Sequence, residues 1–347
     1  MKKRKLLLCL ALAALMLSGC GSSSSSSEPD SEENTVTESS DSKVIVTLPQ
    51  DSSSPDESSQ EDTQCTPLTW RITAENGNTM TLMGSMHALD PDIFPLPEKI
   101  TDDYEAADVL AVECDVKEFN NNLTEQLRLM NMTTYEGDET ILDHIKQSTC
   151  DSLLEFLNNN GYNMQSLGSY RPWYLQSMCE NIILQKAGLD AFRGFDFTLL
   201  NMAHDDGKEI YEVESIEIQL QMLTELPDEI MDIQLATYTV GNDRHLTDQM
   251  RALYDVWRIG DIDKTAQFIK DDEEATKESV GEELAQQLEE YNKKLEDDRN
   301  VVMADAAEKL LSEHKNTMFV VGLAHFMGDN GIIKLLEDRG YTVTLDK

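Results

Sequence analysis

Met318-Phe319-Val320-Val321-Gly322-Leu323-Ala324-His325 lies near the carboxyl end of a chain of 347 residues. Its four leading apolar residues read as a strand buried on both faces, since no polar residue alternates with them. The glycine lets the backbone leave the strand sharply, and the histidine three residues later can turn back over the strand end. The same plan stands far upstream, where residues 79–83 read as a strand running into Gly84-Ser85-Met86-His87. Two further strands end on acidic residues. Val109-Leu110-Ala111-Val112 runs into Glu113-Cys114-Asp115, and residues 207–213 lead to Glu214. In open α/β sheets ligands bind beyond the carboxyl ends of the strands, so His87, Glu113, Glu214 and His325 are expected to gather there.

Outward from these strands the spacing alternates. Residues 69–73 and 79–83 flank Asn76-Gly77, which suits a tight hairpin, and residues 341–345 read as a last strand. Apolar spacing predicts helices over 98–108, 141–157, 172–185, 195–203, 216–226 and 331–338. Residues 246–311 read as a very acidic helical insertion, with Asp271-Asp272-Glu273-Glu274 and Asp297-Asp298 as solvated charge runs. The pattern is one α/β domain over 65–347, near the upper size for a single core.

The first 64 residues read differently. Lys2-Lys3-Arg4-Lys5 precedes a short apolar run and Leu17-Ser18-Gly19-Cys20. That run is too short for the roughly 20 residues of a spanning helix, so 1–19 reads as an export signal. Leu-Ser-Gly-Cys resembles the bacterial lipobox, in which the cysteine is acylated and becomes the new N-terminus. Lipidation at Cys20 and an extracytoplasmic, membrane-anchored location are therefore expected. Residues 20–64, opening with Ser22 to Ser27 and rich in Asp, Glu, Ser and Pro, lack the apolar clusters to offset chain entropy and read as a disordered tether.

With 66 acidic against 28 basic side chains, the formal net charge is -38. A polyanion repels phosphate backbones, so nucleic acid is excluded as a partner. Beyond Cys9 and Cys20, the cysteines are Cys65, Cys114, Cys150 and Cys179; no CxxC pair occurs, and their three possible disulfide connectivities stay open. Cys114 sits between two acids that raise its pKa, which argues against a nucleophile. His144, His204, His245 and His314 lie on helical stretches and read as surface or packing residues.

Gly84-Ser85-Met86-His87, Val112-Glu113-Cys114-Asp115, Pro172-Trp173, Gly194-Phe195-Asp196, Gly207-Lys208 with Glu214 and Gln219, Arg299-Asn300, and Gly322-Leu323-Ala324-His325 with Gly328 and Gly331 occur in an order that resembles the TraB/GumN family, related to the Tiki metalloproteases. The resemblance covers nearly all of 65–347. It implies an α/β core with a sheet of mixed strand direction, and a hydrolase site built from His87, His325 and Glu113. A divalent metal and a peptide substrate are further family-level expectations, and the wider superfamily includes esterase-like enzymes. Met86, and Phe326-Met327 after His325, depart from the commonest form without removing a candidate ligand.

The residue types bear the chemistry independently. Two imidazoles and a carboxylate can hold Zn, Mn, Co or Fe with positions open for water and substrate. Glu214 or Asp196 can act as general base or orient a histidine through its other ring nitrogen. Arg299 can hold a substrate carboxylate or an oxyanion. The expected function is a surface-anchored metal-dependent hydrolase acting on peptides, with a metal-free esterase or a peptide-binding lipoprotein as alternatives. Oligomeric state is not legible.

Overall fold

The computed structural model describes residues 65–313 and 315–346. The signal, lipobox and tether readings, and His314, lie outside the described residues. Six strands form one sheet in the order β4-β3-β5-β2-β1-β6: β1 Thr69–Thr73, β2 Thr79–Ser85, β3 Val109–Val112, β4 Glu209–Glu212, β5 Thr317–Gly322 and β6 Val343–Leu345. Strands β4, β3, β5 and β2 run parallel, whereas β1 pairs antiparallel with both β2 and β6. The sheet is therefore of mixed direction and flanked by helices, as the resemblance implied.

Burial explains the order. All four residues of β3 are buried, as are Met318, Phe319, Val320 and Val321 of β5, so the unbroken apolar runs take the central places, covered on both faces. Glu209–Glu212, with no buried residue, takes an edge. The β1–β2 hairpin turns at Gly77, whose φ of +88° needs no Cβ.

The helices deviate from the sequence reading at identifiable breaks. The stretch 141–157 splits into a 3-10 turn Ile141–Asp143, closed by a capping box between Thr140 and Asp143, and the helix Gln147–Asn159. The acidic stretch divides at Gly260 and Gly281, both at positive φ, into helices Asp243–Ile259, Ile262–Val280 and Glu282–Asn292. A π-helical segment, Lys293–Asp297, then leads into Asp298–Ser312. The first helix ends at Ala106 rather than 108, and Pro97 is its N-cap. Strand β4 is shorter than 207–213, because Gly207 (φ +66°) caps the helix Phe195–Asp206. Strand β6 begins at Val343. Among the described residues no helix is long and apolar enough to cross a membrane.

Candidate active site

Parallel strands β2 and β5 are neighbours, with Gly84 opposite Val321 and Ser85 opposite Gly322. The two Gly-x-x-His segments therefore leave the sheet side by side. Their glycines serve close packing more than a sharp exit: Gly322 has an ordinary φ of -51°, and a Cβ on Gly84 would lie 2.5 Å from Leu323 Cδ1. The indole of Trp257 donates to the Gly84 carbonyl at 2.8 Å and fixes the β2 end from the helical side.

His87 and His325 are each held through Nδ1. The His87 Nδ1 pairs with Asp196 Oδ2 at 2.9 Å. Asp196 reaches it because Gly194 lies against the His87 backbone, where a Cβ would stand 2.4 Å from the His87 carbonyl oxygen, while the Phe195 amide donates to the Met86 carbonyl. His325 Nδ1 meets Asn300 Oδ1 at 2.7 Å, and Asn300 Nδ2 donates to the Asn330 carbonyl. That second bond fixes the amide orientation, so His325 carries its proton on Nδ1 and leaves an Nε2 lone pair. His87, His325 and Glu113 line one cavity.

The convergence is tight. A Cβ built on Gly322 would lie 3.3 Å from Glu113 Oε1, 3.6 Å from His325 Cδ2 and 3.9 Å from His87 Nε2. Glu113 is held by the Gly322 amide on Oε1 (2.7 Å), and on Oε2 by Gln219 (3.0 Å) and Arg299 (2.9 Å). Arg299 also binds Glu214 through Nε and a terminal nitrogen, at 2.7–3.0 Å, and donates to the Leu295 carbonyl. The guanidinium thus bridges two buried carboxylates from adjacent strand ends.

These contacts set the charges. Burial alone would raise the Glu113 carboxyl, but Arg299 and the two histidines hold it down to about 2. Burial works to lower His87, yet the Asp196 charge and hydrogen bond, with Glu113, lift it to about 9. His325 is lowered to about 4 by burial and by Arg299, against the pull of Glu113. The surroundings thus favour the cationic form of His87 and the neutral form of His325. Cys114 is buried beside Glu113, and both effects push its thiol well up, so it is no nucleophile; its Sγ–H donates to Gln219 Oε1. The four cysteines of the described residues are free and buried.

The donor types suit a divalent ion. His325 Nε2 and Glu113 Oε1 are 4.0 Å apart, at the upper end of the roughly 3–4 Å between two ligands of one ion when bonds are about 2.0–2.2 Å. Among the described residues no group of three such side chains is spaced to grip an ion as it stands. The fit is one of chemistry, not of a preformed cage.

All six expected site residues thus lie in one cluster: His87, Glu113 and His325 around Gly322, Asp196 behind His87, and Arg299 with Glu214 behind Glu113. The ring nitrogen that Asp196 orients matches one role expected for it. Arg299, expected to be open to substrate, is instead shared between carboxylates, because Glu113 and Glu214 sit on neighbouring strands with the Glu214 amide bound to the Glu113 carbonyl. The sequence reading missed Asn300 and Gln219 as positioning residues; both stood inside motif stretches without a role. Of the other histidines, His204 pairs with Asp115, and His144 with Asp228 and Glu139; neither lines the cavity.

The agreement with known proteins spans this same framework. Residues 68–345 match the TraB/PrgY/gumN family, and the chain belongs to it. Over 157 residues it is 29% identical to the uncharacterized protein YbaP of Escherichia coli (strain K12), and equally to that of Shigella flexneri. The matched stretch covers 45% of this chain and 56% of each relative, so the chain spans about half the length of the curated relatives it matches. No solved structure matches the chain.

Proposed function

We propose that the strand-end cluster is the active site of a hydrolase that cleaves an acyl bond, most simply in a peptide. The observation that supports this best is the meeting of His87 Nε2, His325 and Glu113 Oε1 around Gly322 at the edge of a cavity of about 280 Å³. His87, Glu113 and His325 would hold a divalent ion there. Such an ion supplies polarisation of a carbonyl and a lowered pKa for water. Asp196 and Asn300 keep both rings aimed with Nε2 toward the cavity, as second partners do for ligating histidines. Arg299 and Gln219 keep Glu113 ionised and aligned. The largely apolar cavity wall excludes bulk water, which strengthens every electrostatic contact inside.

A metal-free reading draws on a different observation: Arg299 already pairs with Glu113 without an ion. In that reading the cationic His87, held by Asp196, donates a proton to the leaving group, and neutral His325 accepts one from water. Purified full-length protein assayed on a peptide library and simple acyl esters, with Zn, Mn or Co and with chelator, separates the two. Activity lost in chelator and restored by one metal supports the first. Equal activity in chelator supports the second. No cleavage under any condition would leave only a peptide-binding role.

Gly322→Ala is a sharp probe of the cradle. Its Cβ would enter the space between the three groups, 3.3 Å from Glu113 Oε1, on a backbone that alanine tolerates. The variant is expected to fold but to lose activity by about tenfold or more, because the added Cβ pushes Glu113 Oε1 out of line with the two histidines. Activity within about twofold of the parent would show that no reacting group uses that space.

We also propose anchoring through Cys20 outside the cytoplasmic membrane, which the Leu17-Ser18-Gly19-Cys20 stretch supports. Cys20→Ser should move the protein to the soluble fraction and abolish acyl labelling. Unchanged membrane retention would count against the anchor.

A further inference from the structure

The cavity extends from the strand ends under the helical insertion, and its far wall is apolar, with Leu184, Met222, Met250, Leu253, Trp257 and Phe268. One side chain breaks that wall. Glu180, on the helix Pro172–Lys186, lines the cavity while only 4% exposed. Its Oε1 accepts from Gln176 at 3.2 Å, but its Oε2 has no partner. Gln176 Oε1 and the Tyr238 hydroxyl, also buried, are likewise unpartnered. Buried polar atoms are nearly always hydrogen-bonded, because leaving one unpaired forfeits its whole solvation. An acid kept so beside a cavity has room to take a donor from outside the chain.

The charges around the cavity say which donor. Among the described residues its lining holds Glu113, Glu180, Asp272, Glu273 and Glu296 and no lysine; Arg299 is shared between Glu113 and Glu214, and His87 is already paired with Asp196. The field in that space repels anions and favours cations. Its volume, about 280 Å³, lies just below the usual range for small-molecule pockets, roughly 300–1,000 Å³. It takes one long side chain or a small amine more readily than a large ligand.

We propose that this cavity is a subsite for a cationic group on an apolar stem, an alkylammonium or guanidinium such as a lysine or arginine side chain, with Glu180 as its ion-pairing partner. The stem packs on the Leu184, Met250 and Leu253 wall, and the head pairs with the Glu180 carboxylate, whose shielded Oε2 turns toward it on binding. Burial pushes the Glu180 carboxyl up to about 8 despite its bond from Gln176. The empty site therefore avoids a bare buried charge, and the arriving cation restores the carboxylate by pairing with it. As a selector of substrates the subsite rests on the hydrolytic reading above; as a binding site it does not.

Binding is therefore the test. Isothermal titration of the full-length protein with hexylammonium chloride, hexanol and sodium hexanoate, at fixed ionic strength, compares one stem with three heads. Hexylammonium should bind about tenfold or more tighter than hexanol, the scale of a charge-assisted hydrogen bond, and hexanoate should not bind. Glu180→Gln should bring hexylammonium and hexanol to within about twofold of each other, and Glu180→Asp should keep the preference. Circular dichroism checks that both variants fold, and the comparison in the parent decides even where one does not. Equal affinity for hexylammonium and hexanol in the parent, no binding of either, or a preference untouched in a folded Glu180→Gln would overturn the subsite. A preserved ammonium preference in a protein that hydrolyses neither Nα-acetyl-lysine nor Nα-acetyl-norleucine esters would sink the hydrolase reading and leave the subsite standing.

Discussion

Arg299→Met is expected to destabilise the domain by about 3–5 kcal/mol, the scale of removing one partner from a buried ion pair. The arginine side chain is 11% exposed, and those of Glu113 and Glu214 are 9% and 2% exposed, so solvent screens little of the loss. The cost comes from the two carboxylates left without a counter-charge. Replacing both by glutamine in the Arg299→Met background should recover much of the stability, whereas the same replacements beside an intact Arg299 should not. The pH dependence has a definite sign. Glu113 is depressed from an ordinary 4.5 to about 2 in the folded protein, so its contribution is fully present above 4.5 and is lost as pH falls from there through 2. Without Arg299 burial dominates and raises that carboxyl, so the variant should lose stability as pH rises through its new value. Denaturant midpoints of both proteins at several pH values measure this; parallel profiles would mean that Arg299 does not hold Glu113 ionised.

His87→Ala and His325→Ala are each expected to abolish hydrolysis, by about 10³-fold or more, since in either reading each ring contributes a group the other cannot replace. Their effects on folding should differ. His87 is raised from 6.5 to about 9, so its favourable interactions with Asp196 and Glu113 are complete below 6.5 and fade as pH rises through 9. His87→Ala should thus cost stability at pH 6 and little at pH 10. His325 is neutral at both, and its removal should show no such trend. If a metal is bound, it should raise the melting temperature of the parent and of neither variant. Activity within about tenfold of the parent in either variant would remove that histidine from the chemistry.

The strands were legible because two of the four parallel ones, β3 and β5, carry apolar runs that stand out, and the strand ends pointed to His87, Glu113, Glu214 and His325 without any knowledge of pairing. The neighbouring places of β2 and β5 were not legible, since register between distant segments leaves no local trace. The sequence reading ran 246–311 together and passed over Gly260 and Gly281, which carry the breaks; the π-helical turn at Lys293–Asp297 has no signal, because its residues suit an α-helix equally well. The Arg299 bridge escaped for a related reason: in a run of charges, an arginine beside Asp297 and Asp298 looks like a local ion pair. Glu180 did leave a trace. The helix Pro172–Lys186 buries ten residues around its circumference, and an acid in a helix apolar on most sides has no solvent face to occupy.

The two histidine loops sit on adjacent strands, one contributed by the opening hairpin of the described chain and the other by its next-to-last strand. A nascent or threading polypeptide therefore holds half of the histidine pair until β5 has emerged. Because β5 lies between β3 and β2, the middle of the sheet cannot close before that late segment arrives, and pairing between such distant strands is slow. Assembly of the cluster and completion of the sheet become a single event. A chain shortened before β5 would lack both the central strand and His325, so a prematurely terminated copy could not assemble the cluster at all.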